Sequence, residues 1–241
     1  MPDPASNRDA LVWCIDLAAA RSRTDTCLGL LSPEETARAA RFLRIEDRVR
    51  FAASHAALRL VLARALGAAP AELDFAAGAG GKPELTGRWA GRLAFNLSHS
   101  GDRAVVGLAR SARIGVDVEA VRPMPDALRI ADHHFSPSEA AALRGLPAER
   151  TEAAFFAVWT AKEAVVKALG VGLAGGLAHA HVTVPPEPLR LVALDGSTAR
   201  AEAWTLAALP VAAGYAGAVA LDAPAAVAVR DAPADWLDGF A

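Results

Sequence analysis

The chain has 241 residues, a formal net charge of −2, 53% hydrophobic residues and 22% charged ones. This composition supplies a well-buried core and excludes bulk disorder, and the near-zero charge excludes a general electrostatic grip on nucleic acid. Two cysteines, Cys14 and Cys27, are too few for a disulfide framework or a cysteine zinc site. Met1-Pro2-Asp3-Pro4 lacks the basic start and apolar run of a secretory leader. The longest apolar region, 206–229, is interrupted by Pro210, Asp222 and Pro224, which argues against a membrane span. The expectation is a soluble, cytoplasmic protein with no membrane partner.

In chain order, residues 1–10 read as a polar tail, and Leu11–Leu17 as a strand. Ser32-Pro33-Glu34-Glu35 is a helix start: serine as cap, proline at the first turn, and Glu35 completing a capping box. That helix continues to Phe42, and a second runs from about Arg48 to a stop at Gly67. Residues 93–98 and 104–109 read as strands joined by a turn at Ser100-Gly101-Asp102. Downstream, Phe135-Ser136-Pro137-Ser138-Glu139 repeats the same helix start. A second long helix, about Glu152 to Leu169, stops at Gly170, and strands are expected at 201–206 and 215–221.

The two blocks match in cap, length and stop. Ser32 and Ser136 stand 104 residues apart, and Ala65-Leu66-Gly67 matches Ala168-Leu169-Gly170. An internal repeat of this period predicts an α+β fold of two pseudo-symmetric halves, each with helices packed on a small antiparallel sheet. The boundary is expected in Glu119–Pro125, giving halves 1–118 and 119–241 with peripheral tails at 1–10 and 223–241. A site shared by the halves belongs in their cleft.

The chemistry concentrates in three stretches. Ile114–Glu119 alternates as a strand, with Asp117 and Glu119 on one face. Alone, this reads as readily as a solvated acidic edge. Gly115 marks a close approach by another backbone or a ligand. On the helix Trp159–Gly170, Trp159, Glu163 and Lys167 are four apart and share a face; by itself the charged pair is an ordinary surface ion pair. If Asp117, Glu119 and Glu163 converge, their repulsion, about 4 kcal/mol per pair at 4 Å and an effective dielectric of 20, calls for protons or a cation. Oxygen ligands without histidine or cysteine favour Mg²⁺, which in turn favours a phosphate-bearing substrate. Lys82 on a glycine-rich loop, Ser98 and His99, and the arginines 38, 41, 44, 48 and 50 are phosphate-binding types. Ser98 and His99 point to opposite faces of a strand and so do not form a nucleophile–base pair. No Walker or dinucleotide-binding glycine motif is present.

Gly81-Lys82-Pro83, Asn96-Leu97-Ser98-His99-Ser100-Gly101, Ile114-Gly115-Val116-Asp117-Val118-Glu119 and Trp159–Gly170, in this order and spacing, resemble the 4′-phosphopantetheinyl transferase superfamily. Glu119 and the duplicated length resemble its large monomeric, surfactin-synthetase-activator type. The resemblance implies transfer of the phosphopantetheine arm of coenzyme A (CoA) to a serine of an apo acyl or peptidyl carrier protein, leaving 3′,5′-ADP. It implies Mg²⁺, with Mn²⁺ as a substitute, on Asp117, Glu119 and Glu163. Asp117, Glu163 and Lys167 would form the catalytic set, with Lys167 on the pyrophosphate. Lys82 and the Gly81–Pro83 backbone would hold the adenosine and phosphate part of CoA, Ser98 and His99 the 3′-phosphate and pyrophosphate, and Arg38 the 3′-phosphate. Glu163 and a bridging water compete as the serine's base. Glu35 stands where some relatives carry a basic residue, and Phe51 where a small hydroxyl residue occurs. The carrier is expected on 121–135, against the plainer reading of that segment as a helix packed on the core. The resemblance also implies one chain acting as a monomer, an internal pseudo-dimer. A non-catalytic CoA- or carrier-binding protein and a Mg²⁺-dependent phosphohydrolase are the readings from other classes.

Overall fold

The structure, a computed structural model, describes residues 10–171 and 176–240. The tail expected at 1–10 lies outside them except for Ala10, which is buried in the first strand. The first half opens with β1 (Ala10–Asp16) and α1 (Thr24–Gly29). Helix α2 (Pro33–Ala39) starts on the expected capping box: the Glu35 N–H donates to Ser32 Oγ at 3.2 Å and the Ser32 N–H to Glu35 Oε2 at 2.9 Å. Helix α3 (Ile45–Leu66) stops at Gly67, whose φ of 65° suits a residue without a Cβ. Two hairpins follow, β2 (Phe75–Ala77) with β3 (Pro83–Leu85), then β4 (Ala94–Ser100) with β5 (Arg103–Ala109).

The second half repeats the plan. Strand β6 (Ile114–Ala120) is followed by α4 (Ala127–His134), α5 (Pro137–Arg144) with its own capping box, and α6 (Ala148–Leu169), which stops at Gly170. Then come the hairpin β7 (Ala180–Val182) with β8 (Leu191–Leu194), α7 (Thr198–Glu202), β9 (Thr205–Ala208) and β10 (Tyr215–Leu221). The sheets agree strand for strand, β1-β5-β4 in one half and β6-β10-β9 in the other. The repeat is therefore one of topology, with α2 matching α5 and α3 matching α6.

Three expectations are corrected. The strand expected at 201–206 begins as α7, because Ser197 caps a helical turn by accepting the Arg200 N–H at 3.2 Å. The boundary lies before β6, because all seven residues of that strand pair with β10, from Ile114↔Leu221 to Tyr215↔Ala120. Residues 223–240 are not peripheral. Strand β11 (Val227–Asp231) returns to the first half and pairs parallel with β1, covering its open edge. Beyond it Trp236 is fully buried and donates its indole N–H to Asp16 O at 2.9 Å, and Phe240 packs edge-on against Trp13.

One core surrounds α3, a second surrounds α6, and a third packs the two sheets together through Val12, Val105, Ile114, Val116, Val118 and Val219. The sheets also meet along β4 and β6. There the backbone N–H groups of Val116, Val118 and Ala120 donate to Asn96 Oδ1 (2.8 Å), Ser98 Oγ (3.4 Å) and Ser100 Oγ (3.1 Å). Alternate side chains of one edge strand thus satisfy the ladder donors of another. Among the described residues no helix is long and apolar enough to cross a membrane.

Candidate active site

Helix α6 lies against β6 because Gly115 permits it: a Cβ there would strike the Ala164 carbonyl oxygen and the Ala168 backbone nitrogen. The close approach foreseen for this glycine is that of a helix backbone. It brings the Glu163–Lys167 face of α6 to the carboxylates of β6. Lys167 Nζ donates to Asp117 Oδ1 at 2.6 Å and to Ser98 Oγ at 3.1 Å. Ser98 Oγ donates to the same Asp117 oxygen at 2.7 Å, and Ser100 Oγ to Glu119 Oε2 at 2.7 Å. Asp117 is buried, so the strand is not a solvated acidic edge.

Glu163 is buried and makes no hydrogen bond among the described residues. Burial pushes its carboxyl up to about 7; Lys167 pulls it down, while Asp117 and Glu119 push it further up. The three carboxylates feel one another, but among the described residues no three such groups make a ready metal site. The donor set still fits a hard divalent cation. It is all oxygen, and among the described residues Glu163 has no hydrogen-bond partner and the buried Asp117 Oδ2 has none either. The positive charge now beside Asp117 is the Lys167 ammonium.

His99 lies between the two serines of β4 and points the other way. Its imidazolium is disfavoured to about 4, first by the protein packed around it, then by His55, Lys167, Arg50 and Arg38. The ring keeps an open edge to solvent, as expected of a residue lining a cleft. Arg38 has no carboxylate partner among the described residues and lies over the Phe51 ring at 5.3 Å. Phe51 stacks on His55 at 4.0 Å between ring centroids. One face of β4 therefore holds carboxylates and Lys167, and His99 on the other feels His55, Arg50 and Arg38.

Lys82 does not join either group. Its ammonium donates to Ile114 O at 2.6 Å and Lys167 O at 3.0 Å, tying the 78–83 loop to the start of β6 and the end of α6. Burial and the nearby Arg113 push it down to about 8. Pro83 is exposed at the start of β3, paired with Ala77. Sequence reasoning did not single out Ser100 as the residue that orients Glu119, although the spacing Asn96, Ser98, Ser100 carried the signal. It also missed His55, which no motif marks.

The apolar side chains of the 121–135 segment face mainly inward: Met124 before α4 and Leu128 and Ile130 on it pack on the α6 core, and Arg122 covers the Phe156 ring at 5.3 Å. The plainer reading of this segment as a packed helix describes most of it.

Comparison with known proteins finds the same family in both halves. The profile of the 4′-phosphopantetheinyl transferase superfamily matches residues 113–220, and that of the N-terminal region of 4′-phosphopantetheinyl transferases matches 18–111. The chain is 38% identical to the 4′-phosphopantetheinyl transferase HetI of Nostoc over 81% of this chain and 80% of HetI. It is 35% identical to the 4′-phosphopantetheinyl transferase psf-1 of Bacillus pumilus over 68% of each. It is 39% identical to the slr0495 protein of Synechocystis, provisionally named for the same activity, over 76% of this chain and 73% of that protein. With the duplicated α+β fold and these matches, the chain belongs to the 4′-phosphopantetheinyl transferases, enzymes that move the phosphopantetheine arm of CoA onto a carrier protein.

Proposed function

We propose that transfer takes place in the cleft between β6, α6 and β4, with Mg²⁺, or Mn²⁺ in its place, held by Asp117, Glu119 and Glu163. The observation that carries this reading is the buried, unpartnered Asp117 Oδ2 beside the Lys167–Asp117 ion pair. When bound, the cation would neutralise charge along the CoA pyrophosphate. Lys167 exchanges its bond to Asp117 for the phosphate that departs with 3′,5′-ADP. Ser98 and Ser100 keep Asp117 and Glu119 aimed at the cleft. Glu163, with no protein partner of its own, accepts the proton of the carrier serine. The serine oxygen bonds to the pantetheine phosphorus as the bridging pyrophosphate bond breaks, so alignment and charge do most of the work.

On the other face of β4, Arg38 and His99 hold CoA phosphate, and the Gly81–Pro83 backbone with Lys82 supports the adenosine end. The half-buried rim of 121–135, with Arg122 and Arg129 exposed, receives the carrier. The protein works as a cytoplasmic monomer. Mass spectrometry of an apo carrier protein incubated with CoA, Mg²⁺ and this protein tests the reading. The carrier is expected to gain one phosphopantetheine arm. Asp117→Ala and Glu163→Ala are each expected to lower the transfer rate by at least about 100-fold while circular dichroism stays native. Retained turnover in either variant refutes the metal site.

A further inference from the structure

We propose that Lys82 is a positioning residue for Lys167: its ammonium fixes the end of α6 on β6, and so ties the loop at the adenosine end of CoA to the lysine at the reacting phosphate. The inference rests on the proposed roles of Lys167 and of the Gly81–Pro83 backbone, and gives the Lys82 side chain a task other than contact with CoA.

The last carbonyls of a helix have no partners within it. In α6, Val166 O accepts the Gly170 N–H at 3.0 Å, and Leu169 O accepts from Arg113 Nη1 at 3.4 Å. The carbonyl of Lys167 itself accepts from Lys82 Nζ at 3.0 Å. The same ammonium donates to Ile114 O at 2.6 Å, next to Gly115, whose missing Cβ lets α6 lie on β6. Gly115 permits the approach and Lys82 fastens it. One ammonium thus joins the strand of Asp117 and Glu119 to the helix of Glu163 and Lys167. A cation at a helix C-terminus is also favoured by the helix dipole.

The internal repeat separates what the fold needs here from what is added. Arg64 of α3 corresponds to Lys167, and its carbonyl accepts the Gly67 N–H at 3.4 Å, within the helix's own cap. Each long helix also holds its own half's hairpin region through a buried cation. Lys162 of α6 donates to Ala180 O at the start of β7, and Arg59 of α3 donates to Pro70 O and Leu73 O, just before β2, at 2.8 and 3.0 Å. Those bonds stay within a half. The Lys82 bonds cross from the β2–β3 hairpin of the first half to β6 and α6 of the second, so they are an addition to the repeated plan. The loop that carries Lys82 is closed on itself: the Gly78 N–H donates to Lys82 O at 2.7 Å and the Gly81 N–H to Gly78 O at 3.1 Å. The lysine is therefore braced twice, its backbone by this turn and its ammonium by the carbonyls of Ile114 and Lys167. Among the described residues no carboxylate pairs with Lys82, so a phosphate that drew the ammonium out would have to break both carbonyl bonds.

The test is Lys82→Met, which keeps an unbranched side chain and removes its donors, assayed with CoA, Mg²⁺ and one apo carrier protein. As the reacting groups lose alignment, kcat is expected to fall at least about tenfold, with KM for CoA within about twofold of wild type. A raised KM at unchanged kcat would mean that the ammonium binds CoA directly, and overturns the proposal, as does full activity. Hydrogen exchange of the CoA-free protein reads the helix itself. Amides 166–170 are expected to exchange faster in Lys82→Met, and equal protection overturns the clamp. If that variant does not fold, wild type decides by nuclear magnetic resonance. Overhauser contacts between the Lys82 side chain and residues 114–115 and 167–168 are expected to persist with 3′,5′-ADP bound; their loss would show that the ammonium leaves for the nucleotide and refutes the clamp. Failure of the wild-type protein to modify any carrier would instead refute the function itself.

Discussion

At the scale of single residues, Glu35 shows how one side chain serves two purposes. It closes the capping box of α2 and clamps α3 through Arg59. Burial alone would raise its carboxyl, but the hydrogen bonds from His55, Ser32 and Arg59 outweigh this and hold it down at about 2, against an ordinary 4.5. A carboxylate held below its unfolded value stabilises the fold above about pH 4.5. That contribution is lost as pH falls through 4.5 toward 2. The shift corresponds to roughly 3 kcal/mol. Urea unfolding midpoints of Glu35→Gln should accordingly fall less steeply than wild type between pH 4.5 and 2.5, from a lower starting value. Equal slopes would show that Arg59 and His55 do not depend on the charge. The sequence displayed the cap, because a cap is local. It showed Glu35 only as a departure from relatives with a basic residue there, because a pair formed across 24 residues is visible only once α2 lies on α3.

Among the elements, the β6–α6 contact decides whether there is a site at all. Gly115→Ala would place a methyl in the Ala164 carbonyl and drive the helix off the strand. Overpacking of this kind costs about 1–3 kcal/mol. It also moves Glu163 and Lys167 together away from Asp117, so transfer should fall by more than the lost stability explains. The check is a thermal melt alongside single-turnover transfer; native activity in a destabilised Gly115→Ala protein would contradict it. The long helices were legible because cap, periodicity and glycine stop agree, and both ended on the expected residues. Helix α7 was not, since five residues offer no periodicity. The seam of Asn96, Ser98 and Ser100 on β6 was not either. Polar residues at every second position look the same whether they face water or another strand's N–H groups.

For the whole molecule, duplication has been followed by division of labour. Trp13, Ile15, Leu60 and Arg64 occupy in the first half the places of Asp117, Glu119, Glu163 and Lys167, and Trp13 and Ile15 are buried in the core. Only the second half carries the acids, so isothermal titration should find one CoA bound per chain; two would mean that the first half retains a site. The repeat itself could be read from the sequence, whereas the crossing of β11 back to β1 could not, because parallel pairing over more than 200 residues leaves no local trace. That crossing fixes an order of events during synthesis. The strand that completes the first sheet leaves the ribosome after the entire second half. Until then β1 keeps a bare edge, and Trp13 lacks the Phe240 ring that covers it. The first half to be made is thus finished only after the second, and until β11 is made the edge of β1 is open to other strands.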